Sequence, residues 1–336
     1  MMPSSEPSSA KAFSHIYVEE AALSHPKSAE ILSRFPSSQI IPISHYKDLF
    51  NRGKQDFLQQ KKAPALILAL NRQEQLLYPG ARFCQSFGHE YFYYTSNLLN
   101  CLYDCEYCYL QGMYPSGNLV FFVNTEDYFA QIEALLKQHP LYLCISYDTD
   151  LMALDGLANI LQDWISFTAA HKDLTIEVRT KSAVDISGYQ DLCDRVILAW
   201  TLSPKYVQAH YEHHTPSLSA RIAAIQKALS TPAQVRLCFD PMLALPDYKQ
   251  HYRELYQTVF SEIPPQAILD VGIGVFRISS DYLKNLRRKR HGFCSDYPYQ
   301  TTNGFCDYGQ KKSGEMIHFA ESELSHYLLP EQIYSI

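Results

Sequence analysis

SNLLNCLYDCEYCYLQGMY, residues 96–114, decides how the rest of this chain is read. Within it Cys101, Cys105 and Cys108 stand at a C-x3-C-x2-C spacing. On an ordinary helical face the three would form a buried sulfur stripe with no partner. A compact loop can instead aim three thiolates at one point. Structural zinc usually takes four protein ligands, and no second close pair supplies the fourth. Three thiolates match a cubane iron–sulfur cluster with one iron left open to a small molecule. A zinc site and three incidental buried cysteines are the alternatives.

Outward from that loop, short apolar runs alternate with helical patterns. The expected strands are LVFFV (119–123), LYLCIS (141–146), LTIEVRT (174–180), RVILAWT (195–201), QVRLCF (234–239) and AILDVGIGVF (267–276). Helices are expected near 126–138, 153–171, 204–212, 216–230 and 248–261, with Asn124 or Thr125 capping the first. Thr215-Pro216 reads as a cap followed by proline in the first turn. Such alternation means parallel strands joined by right-handed crossovers, with the chemistry at the strands' C-terminal ends. About six units are too few for a closed eight-fold barrel, so an open sheet or a partial barrel is expected. Residues 13–85 read as a separate α/β segment with a strand at ALILAL (65–70).

The 336 residues are enough to bury a sizeable core. The Ser/Pro-rich start, residues 1–12, reads as disordered and lacks the basic and apolar parts of a signal peptide. No apolar run approaches the ~18 residues of a membrane span. The nine cysteines are odd in number and scattered, which argues against a disulfide framework. A cytoplasmic protein without membrane contact is expected. The net charge of −6 disfavours nucleic acid only weakly, because binding follows local patches. The densest patch, KNLRRKRH (284–291), reads either as a solvated helix end or as a phosphate contact.

C-x3-C-x2-C with Tyr107 before its last cysteine resembles the signature of radical S-adenosylmethionine enzymes. The resemblance implies a 4Fe–4S cluster on Cys101, Cys105 and Cys108 and S-adenosyl-L-methionine on the open iron. The cluster would cleave the cofactor to a 5′-deoxyadenosyl radical, drawing on an external electron donor such as flavodoxin or ferredoxin. Within that superfamily the chain is similar to the spore photoproduct lyase family. HIYVEEAALSHPKSAEIL (15–32), residues 44–70, CEYCYLQGMY, LVFFVNTEDYF, RTKSAVD, TLSPKYV and TPSLSARIAAIQKAL carry the likeness over roughly residues 13–290. It implies a partial (β/α)6 TIM-like barrel over 86–290, an N-terminal α/β extension over 13–85 and a short C-terminal extension over 291–336. The activity implied is a carbon–carbon lyase that repairs a thymine dimer in DNA.

In that family a cysteine at the end of the second barrel strand returns hydrogen to the product, and two tyrosines flanking the last cluster cysteine help regenerate the radical. Tyr107 and Tyr109 match the tyrosines. Aligned by its aspartates, CISYDTDLMALD (144–155) puts Tyr147 at the donor position, with Cys144 three residues earlier. On a regular strand those two residues point to opposite faces. Tyr147 itself, a cysteine from elsewhere such as Cys238, Cys294 or Cys306, or a different reaction would account for the departure. Lys181 and Ser203, at strand ends, carry over as cofactor contacts, followed by Asp150 and Asp240. The HYEHH run (210–214) reads as a solvated loop, and Tyr297, Tyr299, Phe305 and Tyr308 as a candidate wedge against DNA. Two alternatives stand beside the lyase: a radical enzyme acting on a small molecule, peptide or RNA, and a non-catalytic iron–sulfur protein.

Overall fold

Six parallel strands carry the architecture: Phe92–Tyr94, Leu141–Cys144, Leu174–Thr180, Val196–Thr201, Gln234–Met242 and Asp270–Val275, hydrogen-bonded in that order. Ile333–Ser335 extends the sheet in parallel beyond Asp270–Val275, and Tyr78–Pro79 extends the other edge antiparallel. The result is an open, curled half-barrel, the partial barrel expected. The computed structural model describes residues 13–80 and 84–336, so the N-terminal stretch read as disordered lies outside the described residues.

These strands are buried on both faces, and alternation decides which residue meets which layer. Leu141, Leu143, Ile176, Val178, Leu198, Trp200, Val235 and Leu237 join the main core beneath the helices. Tyr142, Cys144 and Ile197 belong to a second, inner cluster with Phe87 and Phe92. The same inner face carries charge. Arg236 grips Asp270 with two bonds (Nε–Oδ1 2.5 Å, Nη2–Oδ2 2.7 Å) and donates through Nη1 to Glu177 and to the Tyr142 hydroxyl. Phe87 lies over its guanidinium, 3.2 Å from ring centre to Cζ. Burial would raise Glu177, but Arg179 and Arg236 hold its carboxyl at about 2. The barrel interior thus holds a paired, hydrogen-bonded charge network that joins four strands and spans a fifth, Val196–Thr201.

One expected barrel strand goes elsewhere. Leu119–Phe122 pairs with Leu66–Ala69, in a second sheet ordered Gln39–Ile43, His15–Glu19, Leu66–Ala69, Leu119–Phe122, Leu98–Leu99. Its place in the barrel is taken by Phe92–Tyr94, which leads into the cysteine loop and pairs with Leu141–Cys144. An apolar run buried on both faces fits either sheet, so composition could not choose. The anticipated boundaries at 85 and 290 are each crossed by a strand, since Leu119–Phe122 sits in the N-terminal sheet and Ile333–Ser335 in the barrel sheet.

The helices follow with local corrections. The 153–171 pattern divides into Leu151–Leu154, a 3-10 turn and Ile160–Ala170. Asn124 occupies the cap position of Thr125–Leu136, but its amide is spent on Asn71 and Asp127. Before Leu218–Ala228 the cap is Ser217, whose hydroxyl accepts from Ala220 N, so Thr215-Pro216 precedes the helix. No described helix is long and apolar enough to cross a membrane.

Candidate active site

The cysteine loop is held from two sides. Asp104–Cys105 forms a short antiparallel pair with Glu212–His213, and Glu106 N donates to Tyr211 O at 2.8 Å. The HYEHH run is therefore a brace for the loop, not a solvated segment. Glu212 is fully buried and accepts from the Tyr107 hydroxyl, from Ser203 Oγ (2.7 Å) and from Arg221 Nη2 (2.5 Å). On the other side the helix Ser280–Lys289 crosses the short helix Leu110–Met113. Lys289 Nζ donates to the carbonyls of Gln111 and Tyr114, and Asn285 Nδ2 to Gly112 O. Arg290, just past that helix, pairs with Asp104 (2.6 Å) and Glu106 (3.2 Å). Half of the basic run thus turns inward as scaffold.

The loop opens onto a cavity of about 1000 Å³ at the C-terminal ends of the barrel strands. Cys101, Cys105 and Cys108 all line it. Burial pushes Cys101 up to about 12, with Asp150 adding to the effect and Lys61 opposing it. Burial raises Cys105 as well, against Lys181, and Cys108 is raised for the same first reason. Tyr103 N donates to Cys101 Sγ at 3.4 Å, and Lys61 Nζ donates to Cys101 O.

The other expected residues divide by what their side chains touch. Lys181 lines the cavity with its amine 5.4 Å from the centre of the Tyr107 ring. Burial would lower its pKa, but the Cys105 thiol and Glu212 hold it above the usual range. Asp240 lines the cavity paired with Arg277 (2.9 Å). Asp150 also reaches the wall, but its carboxylate accepts from Ala153 N, Thr180 Oγ1 and Lys181 N, which fixes the turn after the second barrel strand. Ser203 is turned toward Glu212 and is not part of the wall. Of the aromatic residues read as a wedge, Tyr297, Tyr299 and Tyr308 pack on one another at 4.8–5.5 Å as a core edge, while Phe305 lines the cavity.

The wall around Tyr147 holds a residue that the sequence did not announce. Cys84 Sγ lies 2.7 Å from the Tyr147 hydroxyl, and both line the cavity. Tyr94 stacks on Tyr147 with ring centres 4.3 Å apart, and the Tyr109 hydroxyl donates to Tyr147 O. Cys144 lines the same wall. The strand ends at Cys144 and the chain bends before Tyr147, so the two share the interior, contrary to the regular-strand expectation. Cys238, Cys294 and Cys306 are buried away from the cavity wall. Beside Tyr147, burial pushes the Asp148 carboxyl up to about 6 despite the neighbouring hydroxyls of Tyr114 and Tyr109. Cys84 lies 63 residues from its partner and in no motif, which left only its place upstream of the cysteine loop as a signal.

The donor set fits an iron–sulfur cluster. All three cysteines come from one short loop and line one cavity, and the Lys61 and Lys181 charges beside them favour the thiolate. Among the described residues no group of three His, Cys, Asp or Glu could hold a single metal ion.

A family model, Spore photoproduct lyase, matches residues 12–291. A solved spore photoproduct lyase, a double mutant with bound AdoMet and dinucleoside spore photoproduct, superposes with a TM-score of 0.81 at 18% identity, covering 97% of this chain and 99% of that one. A spore photoproduct lyase complexed with dinucleoside spore photoproduct gives 0.80 at 17% identity, covering 96% and 98%. No curated protein matches the sequence significantly.

Proposed function

Because this chain belongs to the spore photoproduct lyase family, we propose that it is a radical S-adenosylmethionine lyase that splits a thymine dimer in DNA. One observation carries the reading: a single cavity at the strand ends brings together Cys101, Cys105, Cys108, Lys181 and Asp240 with a hydrogen-donating pair, Cys84 and Tyr147. The relatives' bound lesion supports the substrate. A cytoplasmic enzyme fed electrons by a flavodoxin or ferredoxin belongs to the same proposal.

Cys101, Cys105 and Cys108 would hold the cluster. Cluster and S-adenosylmethionine, when bound, supply the radical that removes hydrogen from the lesion. Lys181 presents a fixed positive charge beside the cysteines, suited to a carboxylate. The Asp240–Arg277 pair places an acceptor at the wall for a sugar hydroxyl or an amino group. Tyr107 is committed to Glu212 and positions the loop. After the dimer bond breaks, the Cys84 S–H bond breaks and a C–H bond forms on the product thymine. The sulfur radical then takes the hydrogen of the Tyr147 hydroxyl, 2.7 Å away. Tyr109 stands next along this wall, its ring centre 6.1 Å from that of Tyr147.

The test is anaerobic reconstitution, reduction with dithionite, and addition of S-adenosylmethionine with the spore-type thymine dinucleoside, with Cys108→Ala as blank. Thymidine products formed only by the intact protein establish the lyase. Release of 5′-deoxyadenosine with the dimer untouched keeps the radical chemistry and moves the substrate elsewhere.

A further inference from the structure

Beside the cavity lies a smaller notch of about 390 Å³, and Met113, Tyr114 and Pro115 line both spaces. One side of the notch is the turn after the helix Tyr46–Phe50, carrying Arg52 and Lys54. The other is the helix Ser280–Lys289, carrying Asn285, Arg288 and Lys289. Four cations and no carboxylate line this space, on a chain whose net charge is −6. Arg52, Lys54 and Arg288 are exposed and form no ion pair among the described residues. Lys289 is spent on backbone carbonyls and forms the floor.

The buried arginines of this protein are answered, whereas exposed cations such as Lys137 and Lys172 often are not; the notch differs from these in gathering three around one recess with no carboxylate. Arg236, Arg221, Arg277 and Arg290 each meet a carboxylate. An unanswered cluster facing a recess therefore marks a place where negative charge arrives from outside. Its place beside the large cavity, with Asn51, Met113, Tyr114 and Pro115 shared between them, points to the carrier. A lesion held in the cavity is one point on a polymer whose backbone must leave it, bearing one phosphate per nucleotide. The notch beside the cavity offers that backbone matching charge.

We propose that this notch grips the phosphate backbone of the damaged DNA strand next to the lesion, with Arg52, Lys54 and Arg288 as the phosphate contacts. The inference rests on the DNA-lesion reading above and extends it from the reacting bases to the flanking strand. These contacts carry no base sequence information; they set the register in which the lesion enters the cavity. A bare dinucleoside, lacking flanking phosphates, does not use them.

The experiment compares the reconstituted enzyme with the variant R52Q/K54Q/R288Q. Binding of a lesion-containing single-stranded oligonucleotide is followed by fluorescence anisotropy across a salt series, and turnover of the lesion dinucleoside is measured in parallel. The control variant, K137Q/K172Q/K227Q, removes the same charge at the opposite end of the barrel, on chain segments that precede strands. The notch variant is expected to bind the oligonucleotide at least ~10-fold more weakly at low salt. Its log–log salt slope should fall by about 2, since each phosphate contact on a single strand contributes roughly 0.7. Dinucleoside turnover should not change. Wild-type slope and affinity in the notch variant, or an equal loss in the control, overturns the inference. Failure of the wild-type protein to process the dinucleoside would sink the lesion reading instead, while the salt slopes would still decide whether the notch binds DNA.

Discussion

Tyr147 is a departure from the family only while it is viewed alone. Beside it, Cys84 brings a thiol within 2.7 Å of the Tyr147 hydroxyl from a different part of the chain, and in the mechanism proposed above that thiol supplies the hydrogen. Cys84→Ala should still release 5′-deoxyadenosine but lose most repaired product, at least ~10-fold, in favour of abortive products seen by mass spectrometry. Tyr147→Phe should keep the first turnover and slow later ones. Full repair by the alanine variant would remove Cys84 from the reaction. Asp148, the next residue, makes a separate prediction through its carboxyl at about 6, raised from 3.8 by burial. A carboxyl raised on folding binds its proton more tightly in the native state. Its penalty is absent below the unfolded pKa, grows as pH rises, and is complete above about 6. Asp148→Asn should therefore be the more stable protein at pH 8, by up to about 3 kcal/mol at 1.36 kcal/mol per unit. The gap in thermal-melt stability should narrow by about half at pH 5. A constant gap across that range would show that the carboxyl does not titrate there.

At the scale of elements, the cysteine loop gains its shape from two segments far away in sequence. Gly112 packs so closely on the helix Ser280–Lys289 that a Cβ there would lie 2.2 Å from the Tyr282 carbonyl oxygen, a backbone atom that cannot swing aside. Gly112→Ala should cost about 1–3 kcal/mol, as overpacking does, and the reconstituted protein should hold less iron. Unchanged melting and iron content would show that the two helices slide freely. From the other side, Glu212→Ala leaves the buried Arg221 without its counter-charge, a loss of about 3–5 kcal/mol when one partner of such a pair is removed. Chemical denaturation would measure it, and a loss under 1 kcal/mol would show Arg221 re-pairing or reaching water. Both braces were invisible as such in the sequence. KNLRRKRH and HYEHH look like solvated polar runs because their partners, Asp104, Glu106 and Tyr107, lie more than a hundred residues upstream. The one available hint was charge: two acids inside the cysteine loop, answered by a basic run and a histidine next to a glutamate.

Across the whole molecule, the sequence shows what is local and apolar and hides what depends on pairing. Five of the six parallel strands were legible as β-rich runs, because parallel strands buried on both faces are continuous in hydrophobicity. Phe92–Tyr94 was missed because it is three residues long, and Leu119–Phe122 went to the other sheet because nothing in LVFFV distinguishes one buried sheet from another. The last 45 residues, which resembled little, are integral to the barrel. Ile333–Ser335 covers the edge of Asp270–Val275, Tyr334 packs on Phe87 with ring centres 5.3 Å apart, and the helix Gln310–Leu324 lies against the same strand. Phe87 in turn covers Arg236, the hub of the interior charge network. Cutting the chain after His291, where the family model ends, would therefore bare a strand edge and loosen the lid over a buried arginine. An exposed edge of that kind recruits other chains. A protein ending at residue 291 should aggregate or melt without a cooperative transition, whereas the full chain unfolds in one step by circular dichroism and runs as a discrete species in gel filtration. Cooperative melting and normal iron uptake by the shortened chain would show that residues 292–336 are an appendage and not a part of the barrel.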